Sequence, residues 1–141
     1  MHVRFDIEGG NFSSAGLASS GVKKMLKQLN IDIQTIKRLV VAMYEAEVNI
    51  VAHAYQGEVN VEITESHIKV VFQDHGPGIK DIDLAMQEGF STASEQVREM
   101  GFGAGMGLSN MKSHADKLNI TSEVGKGTTV EIICYLNYNE S

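Results

Sequence analysis

A chain of 141 residues with 43% hydrophobic and 21% charged residues has ordinary globular usage, which argues against a disordered chain and excludes a scaffold too small to bury a core. Lys and Arg number 12 against 18 Asp and Glu, a net charge of −6, so neither nucleic acid nor an anionic membrane is an expected partner. Cys134 is the single cysteine, MHVRFDIEGG has no signal-like apolar stretch, and no apolar run is long enough to span a bilayer; a cytoplasmic protein is expected.

No repeat, low-complexity tract or linker divides the chain, so residues 1–141 read as one domain. Val3, Phe5 and Ile7 alternate with polar residues and predict a strand ending at Gly9-Gly10. Asn11 is the expected cap of a helix running to about Leu29, and Asp32 the cap of a second helix running to about Tyr55. Val59, Val61 and Ile63, then Ile68, Val70 and Phe72, predict two strands joined at Glu65-Ser66. A glycine-rich stretch from Gly76 to Gly107 holds the only proline, Pro77, and a short helical piece near Ile79–Met86. A helix over about Leu108–Leu118 follows. Ile120–Val124 and Thr128–Leu136, joined by Gly125-Lys126-Gly127, form a closing hairpin in which Cys134 reads as a buried strand residue. Strands at both ends with helices between them predict an α+β two-layer sandwich, its mixed, mostly antiparallel sheet carrying helices on one face.

Three segments carry chemistry. On the second helix, Ile36, Val40, Tyr44, Val48, Val51 and Tyr55 share one apolar sector, while Glu45, Asn49 and His53 follow at i, i+4 and i+8 on the other side. Apolar neighbours flank that stripe, so it either faces a polar ligand or is simply hydrated. Glu47 points to the edge of the apolar sector and breaks the stripe. In the second segment, Asp74-His75-Gly76-Pro77-Gly78, a carboxylate stands at the end of a strand. It suits an exocyclic amine such as that of adenine, with Gly76 and Gly78 allowing close backbone approach; a tight turn with a capping Asp is the alternative. The third segment, Gly101-Phe102-Gly103-Ala104-Gly105-Met106-Gly107, precedes a helix. Its backbone N–H groups can converge on phosphate oxygens, or it is a flexible loop without a ligand. It is neither a Walker A loop nor the dinucleotide fingerprint.

The order E-x-x-x-N on a helix, D-x-G-x-G after a strand, G-x-G-x-G before a helix and Gly127-Thr128 opening a strand resembles the ATPase superfamily of DNA gyrase B, the Hsp90 chaperones, histidine kinases and MutL, with its Bergerat fold. The resemblance spans Val3 to Tyr135. Within it, YEAEVNIVAHAY, QDHGPGI, EGFSTA and GKGTTVEI are most similar to the small bacterial anti-sigma factor and switch-protein serine kinases.

The resemblance implies ATP and Mg²⁺ as cofactors. Asn49 would hold the metal and Glu45 would be the general base on an acceptor hydroxyl or on water. Asp74 would accept from the adenine amine, with Gly76 and Gly78 beside it and Thr128 near the same edge. Gly101, Gly103, Gly105 and Gly107 would form a lid over the phosphates, with Ser91, Thr92, Arg98, Met106 and Leu108 as further contacts. His53 would have a packing or ribose-side role rather than accept phosphate. A phosphoryl-transfer site mainly positions reactants and neutralises charge, so this set is chemically sufficient. The stretch from Gly89 to Gly107 is longer than in the shortest switch kinases. With no phosphoacceptor helix pair before the domain and no transducer domain after it, neither a whole sensor kinase nor gyrase-type coupling is expected. The implied activity is serine/threonine phosphorylation of a small antagonist protein in a partner-switching system, with a sigma factor as a further candidate partner and a homodimer as the candidate assembly. An ATP-gated binding module without phosphoryl transfer is the alternative.

Overall fold

A computed structural model describes residues 1–11, 13, 15–52, 56–76 and 107–136, with the backbone alone for 107–110. The elements are β1 (His2–Ile7), α1 (Leu17–Gln28), α2 (Ile33–Ala52), β2 (Gly57–Ile63), β3 (His67–Asp74), α3 (Gly107–His114), β4 (Lys117–Glu123) and β5 (Gly127–Tyr135). No described helix is long and apolar enough to cross a membrane.

The strands order as β1-β2-β3-β5-β4. The expected α+β sandwich is present, and its sheet is more regular than the mixed one expected, since every described pairing is antiparallel. Two helices between β1 and β2 bring the chain back reversed, and β5 inserts between β3 and β4, which run the same way. Period-two alternation places Val59, Val61, Ile68, Val70, Phe72, Ile132 and Cys134 on one buried face. Register stacks Val61 on Val70 and Val70 on Ile132. Fully burying a side chain such as Phe72 contributes roughly 2–3 kcal/mol. Burial also pushes the Cys134 thiol up, as befits a core residue.

Helix α2 is the middle of the helical layer, packed on the sheet, α1 and α3. Asp32 caps it as expected, accepting the Thr35 N–H at 3.1 Å. Leu39, Met43, Ala46 and Ile50 join Ile36, Val48 and Val51 in burial, whereas Tyr44, expected in the apolar sector, is 42% exposed. With partners on several sides, α2 buries more than one stripe.

Two helix boundaries differ from the sequence expectation. Asn11 does not cap α1; its side-chain oxygen accepts the Ser13 hydroxyl at 2.7 Å, well before the first turn of that helix. The helix begins six residues later, after Gly16 at φ 94°, a residue with no capping side chain. Glu47 of α2 supplies the cap instead. Its buried carboxylate accepts the N–H groups of Gly16, Ala18 and Ser19 at 2.9, 3.1 and 3.0 Å and the Ser19 hydroxyl at 2.7 Å. The last helix ends at His114 rather than near Leu118. Sheet pairing captures the chain at Asp116, whose N–H donates to the Ile133 carbonyl and whose carboxylate accepts from Arg38 and the Tyr135 N–H. The Arg38 hydrogen bonds hold the Asp116 carboxyl below the usual aspartate range. Leu118 therefore lies in β4, opposite Ile132.

At the β3–β5 junction, Gly127 has φ 134°, and a Cβ there would lie 2.1 Å from the Asp74 carbonyl oxygen. Only glycine fits such an approach. Gly125, in the same turn, has φ 87° with open space around the added carbon.

Glu47→Ala leaves a set of buried donors without their acceptor and is expected to cost about 3 kcal/mol or more in urea unfolding. A loss below about 1 kcal/mol would show that the cap is dispensable. Gly127→Ala combines backbone strain with overpacking and is expected to cost about 3 kcal/mol, against about 1 kcal/mol for Gly125→Ala. Equal losses for the two variants would contradict the close approach to Asp74.

Candidate functional site

Asp74 ends β3, and its carboxylate is held by backbone from two directions. Oδ1 accepts the Gly76 N–H at 3.0 Å and the Thr128 N–H at 3.1 Å. Asp74 is only 7% exposed, yet no described residue donates to Oδ2. The carboxylate is thus oriented by one oxygen and keeps acceptor capacity on the other. Thr128 opens β5 beside it, equally buried, and its hydroxyl lies 2.9 Å from that of Ser122. Ser122 was not singled out in the sequence; a serine on an alternating strand carries no signal of its own.

Gly57 forms the other wall. It pairs with Asp74, and a Cβ on it would meet the Gln73 carbonyl oxygen at 2.9 Å and Ile50 Cδ1 at 3.2 Å. Ile50 therefore lies over the strand end that carries Asp74. Its neighbour Asn49 is partly exposed, as is Glu45 one turn earlier. These two share a side of α2 by helical spacing. Glu47, two residues from each, faces α1, in keeping with its expected departure from the stripe.

The structure thus brings Asp74, Gly76 and Thr128 together, and it places Glu45 and Asn49, both partly exposed, on α2, whose Ile50 packs at Gly57 opposite Asp74. Helix α3 starts at Gly107, so a helix follows the glycine run as expected, with Leu108 in its first turn. His53, Gly78, Ser91, Thr92, Arg98, Gly101, Gly103, Gly105 and Met106 lie outside the described residues. So does the helical piece expected near Ile79–Met86. Glu47 is the consequential residue whose role the sequence did not reveal. Its one signal was a carboxylate inside a mostly apolar helix.

Residues 34–138 match the family of histidine kinase-, DNA gyrase B-, and HSP90-like ATPases. The chain is 33% identical to an anti-sigma F factor of Caldanaerobacter subterraneus subsp. tengcongensis, over 99% of this chain and 95% of that one. It is 29% identical to the anti-sigma F factor of Anoxybacillus flavithermus, over 100% and 95%. With the serine/threonine-protein kinase RsbT of Bacillus subtilis the identity is 30%, over 81% and 83%. The matched span runs from the first turn of α2 through β5 and takes in every element around Asp74. On that ground the chain belongs to the histidine kinase-, DNA gyrase B- and HSP90-like ATPase family.

Proposed function

We propose that this chain is a cytoplasmic, ATP-dependent serine/threonine protein kinase of a partner-switching system. Its substrate is a small antagonist protein with a target Ser or Thr; a sigma factor is a second partner, and the working assembly is a homodimer. The observation that carries the nucleotide assignment is Asp74, with one oxygen held by two backbone N–H groups and no described donor on the other. Similarity along most of the chain to a protein named as a serine/threonine kinase supports the reaction class.

The residues fit the cofactors. Asp74 Oδ2 would accept the adenine amino group, with Gly76 and Thr128 beside it and Gly78 as a further expected contact. The Asn49 side-chain oxygen is a hard donor suited to Mg²⁺, an ion that commonly takes few protein ligands and completes its shell with phosphates and water. Gly101, Gly103, Gly105 and Gly107 would cover the phosphates, with Ser91, Thr92, Arg98, Met106 and Leu108 as further contacts. Bound Mg-ATP supplies the phosphoryl group and neutralises its charge. Glu45 would take the proton of the incoming hydroxyl as the new O–P bond forms, the bond between the β-bridging oxygen and the γ-phosphorus breaks, and ADP leaves.

Mg-ATP and Mg-ADP are expected to raise the melting temperature far more than guanine nucleotides do. Asp74→Asn replaces part of an acceptor with a donor and is expected to cost roughly 1–3 kcal/mol of binding, about 5- to 150-fold in Kd. Equal affinity for ATP and GTP by calorimetry would remove Asp74 from the adenine site. Glu45→Gln is expected to bind Mg-ATP within a few-fold of wild type while single-turnover phosphorylation of the antagonist slows about 10²–10⁴-fold. Asn49→Ala is expected to weaken Mg²⁺-dependent binding itself. If wild type and Glu45→Gln bind the partner in the same ATP-dependent way and neither phosphorylates it, the ATP-gated binding module replaces the kinase.

A further inference from the structure

Between α1 and α2 lies a groove of about 480 Å³ with Glu45 in its lining. That volume is in the range of natural ligand clefts. The groove is built rather than incidental, because the Glu47 carboxylate fixes Gly16 at its rim. The Tyr44 ring then packs so closely that a Cβ on Gly16 would meet Cε1 at 3.1 Å. Apolar surface is left open along the lining, with Val41 38% and Tyr44 42% exposed. Lys23, also in the lining, pairs with no carboxylate among the described residues. In a chain of net charge −6, a lysine without an ion pair beside apolar surface favours an acidic, apolar visitor.

We propose that this groove docks the acceptor segment of the protein substrate. An apolar side chain of that segment packs on Val41 and Tyr44, an acidic one meets Lys23, and the Ser or Thr hydroxyl is delivered to Glu45. The assignment rests on the kinase reading. It follows from reach: a general base must come within hydrogen-bond distance of the proton it takes, so the acceptor enters where the Glu45 side chain meets a concavity. A segment bound there gains apolar burial from α2 and charge pairing from α1. Lys23 and Val41 thus set which substrate is chosen without taking part in the chemistry.

The test uses the full chain, Mg-ATP and an arrayed library of twelve-residue Ser/Thr peptides with apolar, acidic and basic residues varied around the acceptor. Wild type is expected to prefer peptides with an apolar and an acidic residue near the hydroxyl. Lys23→Glu is expected to shift that preference to basic peptides by about tenfold in kcat/KM, carried by KM, with Mg-ATP affinity unchanged. Val41→Glu is expected to raise KM for the preferred peptides about tenfold with kcat nearly constant. Because both positions face solvent, thermal melting serves as the folding control. If KM and charge preference are untouched in both variants while Glu45→Gln still slows transfer, the docking site is overturned and the kinase reading stands. No transfer from wild type to any peptide, with the antagonist protein still phosphorylated, would overturn the docking of an acceptor segment and leave the kinase reading; no transfer to either would overturn both. Loss of a dimer in Val41→Glu by light scattering, with KM unchanged, would assign the groove to a second copy of the chain and overturn the proposal.

Discussion

The helical layer hangs on one buried carboxylate. Helix α1 opens at a glycine that has no side chain to satisfy the first N–H groups. Those groups carry the positive end of the helix dipole into the interior, where water cannot answer them. Glu47 meets them with both oxygens. A negative charge at a helix N-terminus is favourable, and here donors and acceptor satisfy one another while buried. The bond fixes where α1 sits along α2, and so fixes the groove between them.

Asp74 holds the sheet end of the site by a related device. Its carboxylate is bound to the β5 backbone through Thr128, and Gly127 lets the two strands come together there. Such restraint costs little flexibility elsewhere, since Gly76 N–H and Thr128 N–H would otherwise need acceptors of their own. What results is a polar group held before any ligand arrives. Preorganisation of this kind lowers the ordering cost of recognition.

Helix α2 serves both architecture and site through its period. Residues four apart share a side, so Glu45 and Asn49 go together, while a residue between them turns to the opposite side. Glu47 takes that intermediate position and is spent on α1. Two acidic residues two apart on one helix thus have separate work: one is half-exposed in the groove, the other is buried as a cap.

Much of this was legible in the chain itself. Alternation in β2, β3 and β5, the Asp32 cap, the turn at Gly125 to Gly127 and the motif order around Glu45, Asn49, Asp74 and Thr128 follow from local periodicity and backbone chemistry. The α+β class and the family could be read from them. Tertiary structure decided where α1 begins, where α3 ends and what Glu47 does. It also decided that Tyr44 stays outside the core and that Asp74 spends one oxygen on Thr128. The reason is distance along the chain. Glu47 acts on Gly16 31 residues away, and Asp74 on Thr128 54 residues away. Local propensity describes what a segment favours alone; which donor finds which acceptor is settled only when the layers pack.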